Sequence, residues 1–102
     1  MITLNADNIN IAREIASYIE QIHGGVITAP DLSTRFHLHP SDIRGIINLC
    51  RTMGLPVCSN ARGYYWSTNP SDIQNTIDHI ELRIAKQKEA VNGLKEAMGV
   101  VQ

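Results

Sequence analysis

From Ile73 to Met98 the sequence steps by four and three residues through Ile73, Ile77, Ile80, Ile84, Gln87, Val91, Leu94 and Met98. On an α-helix these steps return to one face, giving an a/d seam with a single polar interruption at Gln87. Asn69 is suited to cap the helix, Pro70 to its first turn and Asp72 to its positive end. A helix of about 29 residues spans roughly 43 Å. A chain of 102 residues makes about one small domain, whose core is too small to cover so long a seam. Two arrangements remain: a second copy of the helix, or a fold-back along the first helix of the same protomer. The first helix is shorter and has other neighbours to cover. Self-association through Ile77, Ile80, Ile84, Gln87, Val91, Leu94 and Met98 is therefore expected, flanked by Glu81, Lys86, Lys88 and Lys95. Gln87 at a d position helps fix register and strand number at a cost in stability. Helix orientation and oligomer number stay open.

Upstream of the seam, the first helix is expected from Ala6 or Asp7 to His23. Ile11, Ile15, Ile19 and Ile22, with Ala12 and Ala16, form its apolar stripe, and Gly24-Gly25 ends it. The β-branched run Val26-Ile27-Thr28 is a brief strand candidate. "TAPDL" starts a second, short helix, with Thr28 as cap and Pro30 in the first turn; Leu32 and Phe36 point inward, and Leu38 plugs the turn after it.

A third helix begins at "HPSDI" and ends at Gly54. Ile43, Ile46, Ile47, Cys50 and Met53 face inward, while Ser41, Arg44, Gly45 and Asn48 face outward. The tetrapeptide PSDI recurs at Pro70, yet the residues after the two copies differ. "RGIINLCR" offers Arg44, Asn48 and Arg51 to a partner such as DNA, whereas "QNTIDHIELRI" enters the seam. One helix-starting device serves twice. Pro56-Val57-Cys58 and Tyr64-Tyr65-Trp66 then make two strands around the turn Asn60-Ala61-Arg62-Gly63, where Asn and Gly suit positive φ angles. Alternation sets Tyr64 and Trp66 on one face, read as packed against the third helix, and Tyr65 on the other.

The net charge is −1, but it is unevenly distributed. Residues 26–66 carry four arginines against Asp31 and Asp42, while the segments on either side are net acidic. An all-arginine positive centre suits an anion-binding face, because the guanidinium forks onto phosphates and guanine edges. No apolar run approaches twenty residues and no export signal begins the chain, so a cytoplasmic protein with Cys50 and Cys58 as thiols is expected, without a membrane partner. His37, His39, Cys50 and Cys58 lack the spacing of a zinc site, and Cys50 falls on an apolar stripe. No phosphate loop, nucleophile motif or carboxylate pair is found, so no enzymatic activity, metal or cofactor is expected.

Helix, strand, helix, helix, strand-turn-strand is the order of a winged helix-turn-helix domain. The stretch "VITAPDLSTRFHLHPSDIRGIINLCRTMGLPVCSNARGYYWS" resembles the winged helices of the biotin-ligase-repressor type and of phage-encoded regulators. The resemblance is carried by Leu32, Phe36, Leu38, Ile43, Ile47 and Cys50, by "RTMG" closing the third helix and by "RGYYW" returning from the wing. His37 stands where the family often has Gly, and His39 where a Ser or Thr cap is usual. Nothing after Trp66 resembles a ligase, so no biotin chemistry carries over.

The resemblance implies a mainly α fold with a small β-hairpin, a winged helix-turn-helix over residues 1–68, to which the a/d seam adds an oligomerisation helix over 69–102. It also implies that the third helix enters the major groove of double-stranded DNA while the wing follows the backbone. Ser41, Arg44 and Asn48 are then the candidates for base edges. Arg35 and Arg62 are the candidates for phosphate, and His39 caps the helix or approaches a phosphate. The expected function is a DNA-binding regulator of transcription or replication, acting as a homodimer or higher oligomer. The alternative is a winged helix that binds proteins and not DNA.

Overall fold

The computed structural model describes residues 5–22 and 25–100. In chain order it contains α1 (Ala6–Gln21), α2 (Ala29–Phe36), α3 (Pro40–Thr52), β1 (Val57–Asn60), β2 (Gly63–Trp66) and α4 (Pro70–Val100). The fold is mainly helical, with one antiparallel hairpin and a long C-terminal helix, as the sequence implies.

Each helix starts where a capping side chain satisfies a free backbone N–H. Asn5 Oδ1 accepts from Asn8 N at 2.9 Å, and Thr28 Oγ1 accepts from Asp31 N at 3.2 Å. His39 caps α3 with its ring Nδ1, which accepts from Ser41 N at 3.2 Å. Asn69 Oδ1 accepts from Ser71 N at 2.9 Å at the head of α4. Replacing such a cap by Ala costs about 1 kcal/mol. Gln21 ends α1, two residues short of the expected His23; His23 and Gly24 lie outside the described residues.

The second and third helices are joined by a left-handed residue. His37 has φ 54° and ψ 43°, and its N–H and that of Leu38 both turn back to Ser33 O. α3 closes in a Schellman motif: Leu55 N bonds Cys50 O, Gly54 N bonds Arg51 O, and Gly54 takes φ 81°.

The core lies between α1, α2, α3 and the hairpin. Ala12, Ile15, Ala16 and Ile19 of α1 meet Leu32 of α2, Ile43, Ile46, Ile47, Leu49 and Cys50 of α3, and Val57 of β1. Burying each large aliphatic side chain contributes roughly 1.5–3 kcal/mol. Leu49, off the spacing that marks the other inward residues of α3, is buried as well. Cys50 is fully buried, and its thiol donates to Ala12 O at 3.2 Å.

Val26-Ile27-Thr28 contributes a single bridge in place of a strand. Ile27 pairs with Tyr64 through reciprocal bonds of 2.9 and 2.8 Å. Tyr64 and Trp66 pack against the core, as alternation predicts, but β2 lies principally along α1, and it is β1 that borders α3. The expectation that this face packs on the third helix is corrected accordingly. The chain re-enters the hairpin next to Ile27, which draws β2 toward α1.

The hairpin turn also differs from the expected one. Of Asn60 and Gly63 only Gly63 takes a positive φ, 146°. Asn60 acts through its side chain, whose Oδ1 accepts from Arg62 N at 2.8 Å and Gly63 N at 3.3 Å. A Cβ on Gly63 would stand 2.4 Å from Ile27 O, so the bridge to Ile27 requires glycine here.

The first turns of α4 dock on the free edge of β1. Thr76 is buried, and its Oγ1 accepts from Ser59 N at 3.2 Å. The helix borders α3 as far as Gln87 and then leaves the domain, and the molecule reaches 55 Å along its longest axis. α4 does not fold back along α1.

Candidate nucleic-acid interface

α3 presents to solvent the residues that the hydrophobic pattern turns outward: Ser41, Arg44 and Asn48 are all exposed. The cap at His39 fixes where the helix begins, and the Schellman closure at Gly54 fixes where the chain turns into β1. These two ends set the hairpin beside the C-terminal half of α3.

Between α3 and the hairpin tip lies a cleft of about 270 Å³. Arg44, Asn48 and Arg51 form the α3 wall, and Asn60, Ala61, Arg62 and Gly63 form the hairpin wall. Arg83 enters from α4. Four guanidinium groups line this one depression, and no aspartate or glutamate does. Such a site attracts phosphate, because the planar fork of arginine donates two parallel bonds to paired oxygens.

The four arginines differ in freedom. Arg44, Arg62 and Arg83 are exposed. Arg51 is half-buried, with Nε donating to Val57 O at 2.8 Å and a terminal nitrogen donating to Ser59 Oγ at 3.2 Å. Burial pushes its pKa down, and the nearby positive charge of Arg83 pushes the same way. The sequence sets Arg51 beside Arg44 and Asn48 as available to a partner. Its two bonds to β1 make it first a staple between α3 and the hairpin, lending its charge to the cleft from a fixed position.

Of the residues singled out in sequence, the fold brings Arg44, Asn48 and Arg62 together in the cleft and leaves Arg35, His39 and Ser41 outside it. His39 and Ser41 sit at the N-terminus of α3, where His39 Nδ1 lies 2.7 Å from Ser41 Oγ. That pairing leaves the Nε2 edge of the ring to face outward. Arg35 stacks over the Tyr18 ring at 4.1 Å from its centroid, and Tyr18 meets Phe36 edge-on at 5.8 Å. This cation–π contact gives Arg35 a structural role across α1 and α2. Tyr65 faces the other side of the hairpin. There burial raises its pKa, and the carboxylate of Asp72 adds to the rise. Asp72 makes that side poor for an anion.

Arg83 is the residue that sequence reasoning missed. It immediately precedes the seam position Ile84, where flanking charges are read as serving the coiled coil. One signal was available: no acidic residue lies three or four positions from Arg83, where His79, Ile80, Lys86 and Gln87 stand.

Beyond the cleft, Ile80, Arg83, Ile84 and Gln87 of α4 face Asn48 and Arg51 across an adjoining groove. A second groove, almost wholly apolar, runs between Leu55-Pro56-Val57-Cys58 and Ile73, Thr76, Ile77 and Ile80. Further out the seam is bare: Leu94 is 72% exposed and Met98 59%. No group of three or more His, Cys, Asp or Glu is placed to hold a metal among the described residues, and no described helix is long and apolar enough to cross a membrane. Compared with protein-family models, curated proteins and solved structures, the chain matches none.

Proposed function

We propose that this protein is a sequence-specific binder of double-stranded DNA, a regulator of transcription or replication of the winged helix-turn-helix kind, and that it acts as a dimer or higher oligomer through α4. The observation that carries this reading is the cleft between α3 and the hairpin, lined by Arg44, Arg51, Arg62 and Arg83 with no carboxylate among them. In this reading α3 enters the major groove, where Arg44 suits guanine and Asn48 suits adenine. Arg62 at the hairpin tip holds a backbone phosphate. The bare seam of α4 supports self-association, which sets two copies of α3 on two half-sites and multiplies modest affinities into a usable one.

Selection of bound genomic fragments, followed by titration of a selected duplex at several salt concentrations, tests the proposal. Binding is expected to weaken with salt by about 0.9 in log K per log salt for every phosphate contact. Arg44→Ala with Arg62→Ala should abolish retention without changing the oligomer. Absence of binding, or binding indifferent to salt, would falsify the reading. The net charge of −1 favours a second reading, a winged helix that docks on proteins. That reading predicts that the wild type retains no DNA for the double variant to lose.

A further inference from the structure

Arg83 reaches the cleft from the helix assigned to self-association. We propose that Arg83 is a phosphate-binding residue of the DNA site, so that α4 contributes a backbone contact as well as the oligomer's seam. This rests on the reading of the cleft as a DNA site.

The placement of Arg83 comes first. It lines the same cleft as Arg44 and Arg62, and it also lines the adjoining groove beside Asn48. A ligand lying along the outer face of α3 therefore passes Arg83. Charge comes second. Arg83 has His79, Ile80, Lys86 and Gln87 one turn away, and the cleft offers no carboxylate. Arg83 is close enough to lower the pKa of Arg51, which its bonds to Val57 O and Ser59 Oγ hold in place. Two guanidinium groups held near each other without a counter-charge gain from an anion between them. Chemistry comes third. All four cations in the cleft are arginines, the side chain whose fork matches paired phosphate oxygens.

The consequence is a link between assembly and binding. The same stretch of α4 carries the seam residues Ile80 and Ile84 and, between them, the cleft residue Arg83. Pairing of α4 with a second copy then orders the helix that aims Arg83 at the phosphate.

The test uses a labelled duplex recovered from the fragment selection, titrated across a salt series with the full chain. Wild type is compared with Arg83→Ala, Arg83→Lys and Arg13→Ala, the last removing the same charge from the exposed face of α1, away from the cleft and the seam. Arg83→Ala should flatten the slope of log K against log salt by about 0.9 for each protomer on the duplex, about 1.8 for a dimer, and weaken binding at least on the order of tenfold. Arg83→Lys should regain the slope, and Arg13→Ala should keep it. Sedimentation at the same protein concentration should report one oligomer for all four.

An Arg83→Ala slope equal to that of wild type or Arg13→Ala overturns the inference. If Arg44→Ala and Arg62→Ala still lower affinity in that case, the proposed function stands. Weakening that accompanies dissociation of the oligomer at an unchanged slope also overturns it. A wild type that binds no DNA removes the DNA reading and this inference together.

Discussion

Arginines that look alike in sequence are sorted by what lies beneath them. Arg51 is drawn in because β1 leaves Val57 O and Ser59 Oγ within its reach, whereas Arg44, two turns earlier on the same face of the helix, meets only the cleft. The same holds for backbone conformation. His37 occupies the left-handed region at φ 54°, which costs an L-residue roughly 1–2 kcal/mol. Its side chain is exposed, so His37→Gly should stabilise the protein by about 1 kcal/mol, seen as a higher urea midpoint at unchanged slope. Gly63→Ala should do the reverse. Its Cβ would meet the Ile27 backbone at 2.4 and 2.9 Å, which cannot yield without breaking the bridge, so a loss of at least about 3 kcal/mol is expected. Cys50 gives a pH signature. Burial pushes its thiol up to about 11 from an ordinary 9.0. The folded form thus keeps its proton to higher pH than the unfolded form, and this contribution is fully present below pH 9 and lost as pH rises toward 11. Alkylation at mildly alkaline pH should be slow in the native protein and fast in urea. Equal rates would contradict the burial.

At the scale of elements, most of the fold was legible because its helices carry their own punctuation. Thr28, His39 and Asn69 each precede a Pro-containing first turn, and Gly54 supplies the left-handed stop. Helix starts in particular are local events, and sequence carries them well. The illegible part depends on residues far apart in the chain. Nothing local tells that Ile27 will reach Tyr64, that β2 will lie on α1, or that Thr76 will be buried in a helix whose pattern points elsewhere. The docking of α4 has one physical cause. β1 is an edge strand, and its outward Ser59 N–H and Val57 C=O need partners; Thr76 supplies one and Arg51 the other. Thr76→Val keeps the shape and removes the acceptor. It should cost about 1–3 kcal/mol in urea unfolding, with faster hydrogen exchange at the Ser59 amide. A neutral result would mean that water replaces the hydroxyl and that α4 is held by its apolar contacts alone.

For the whole molecule the deciding fact is the length of helix without a neighbour. Ile84 is 61% exposed, Val91 47% and Leu94 72%, a row of large aliphatic side chains that a monomeric surface has no reason to keep on one face. An unsupported helix gains little from propensity alone, and Gly93 and Gly99 lower it further, by roughly 1 kcal/mol each relative to Ala. The distal half of α4 thus has no apolar surface against it among the described residues, and the proposed occupant is another copy, since the a and d positions match themselves. The candidate site was half legible for a related reason: Arg44, Asn48 and Arg62 follow from the third helix and the hairpin, whereas Arg83 joins them only through the path of α4. Replacing Val91 and Leu94 by Lys sets like charges across the seam while leaving the α1–β2 core untouched. Sedimentation should then report a monomer, and circular dichroism should lose helix equivalent to the distal part of α4. DNA affinity should fall by about 10²–10⁴ as bivalent attachment is lost, with the salt slope roughly halved. Gln87→Leu should act in the opposite sense, raising the oligomer's melting temperature while admitting more than one assembly size, because the polar d position restricts register. If the double lysine variant keeps both the wild-type mass and the wild-type helix content, the seam is not what α4 uses to associate.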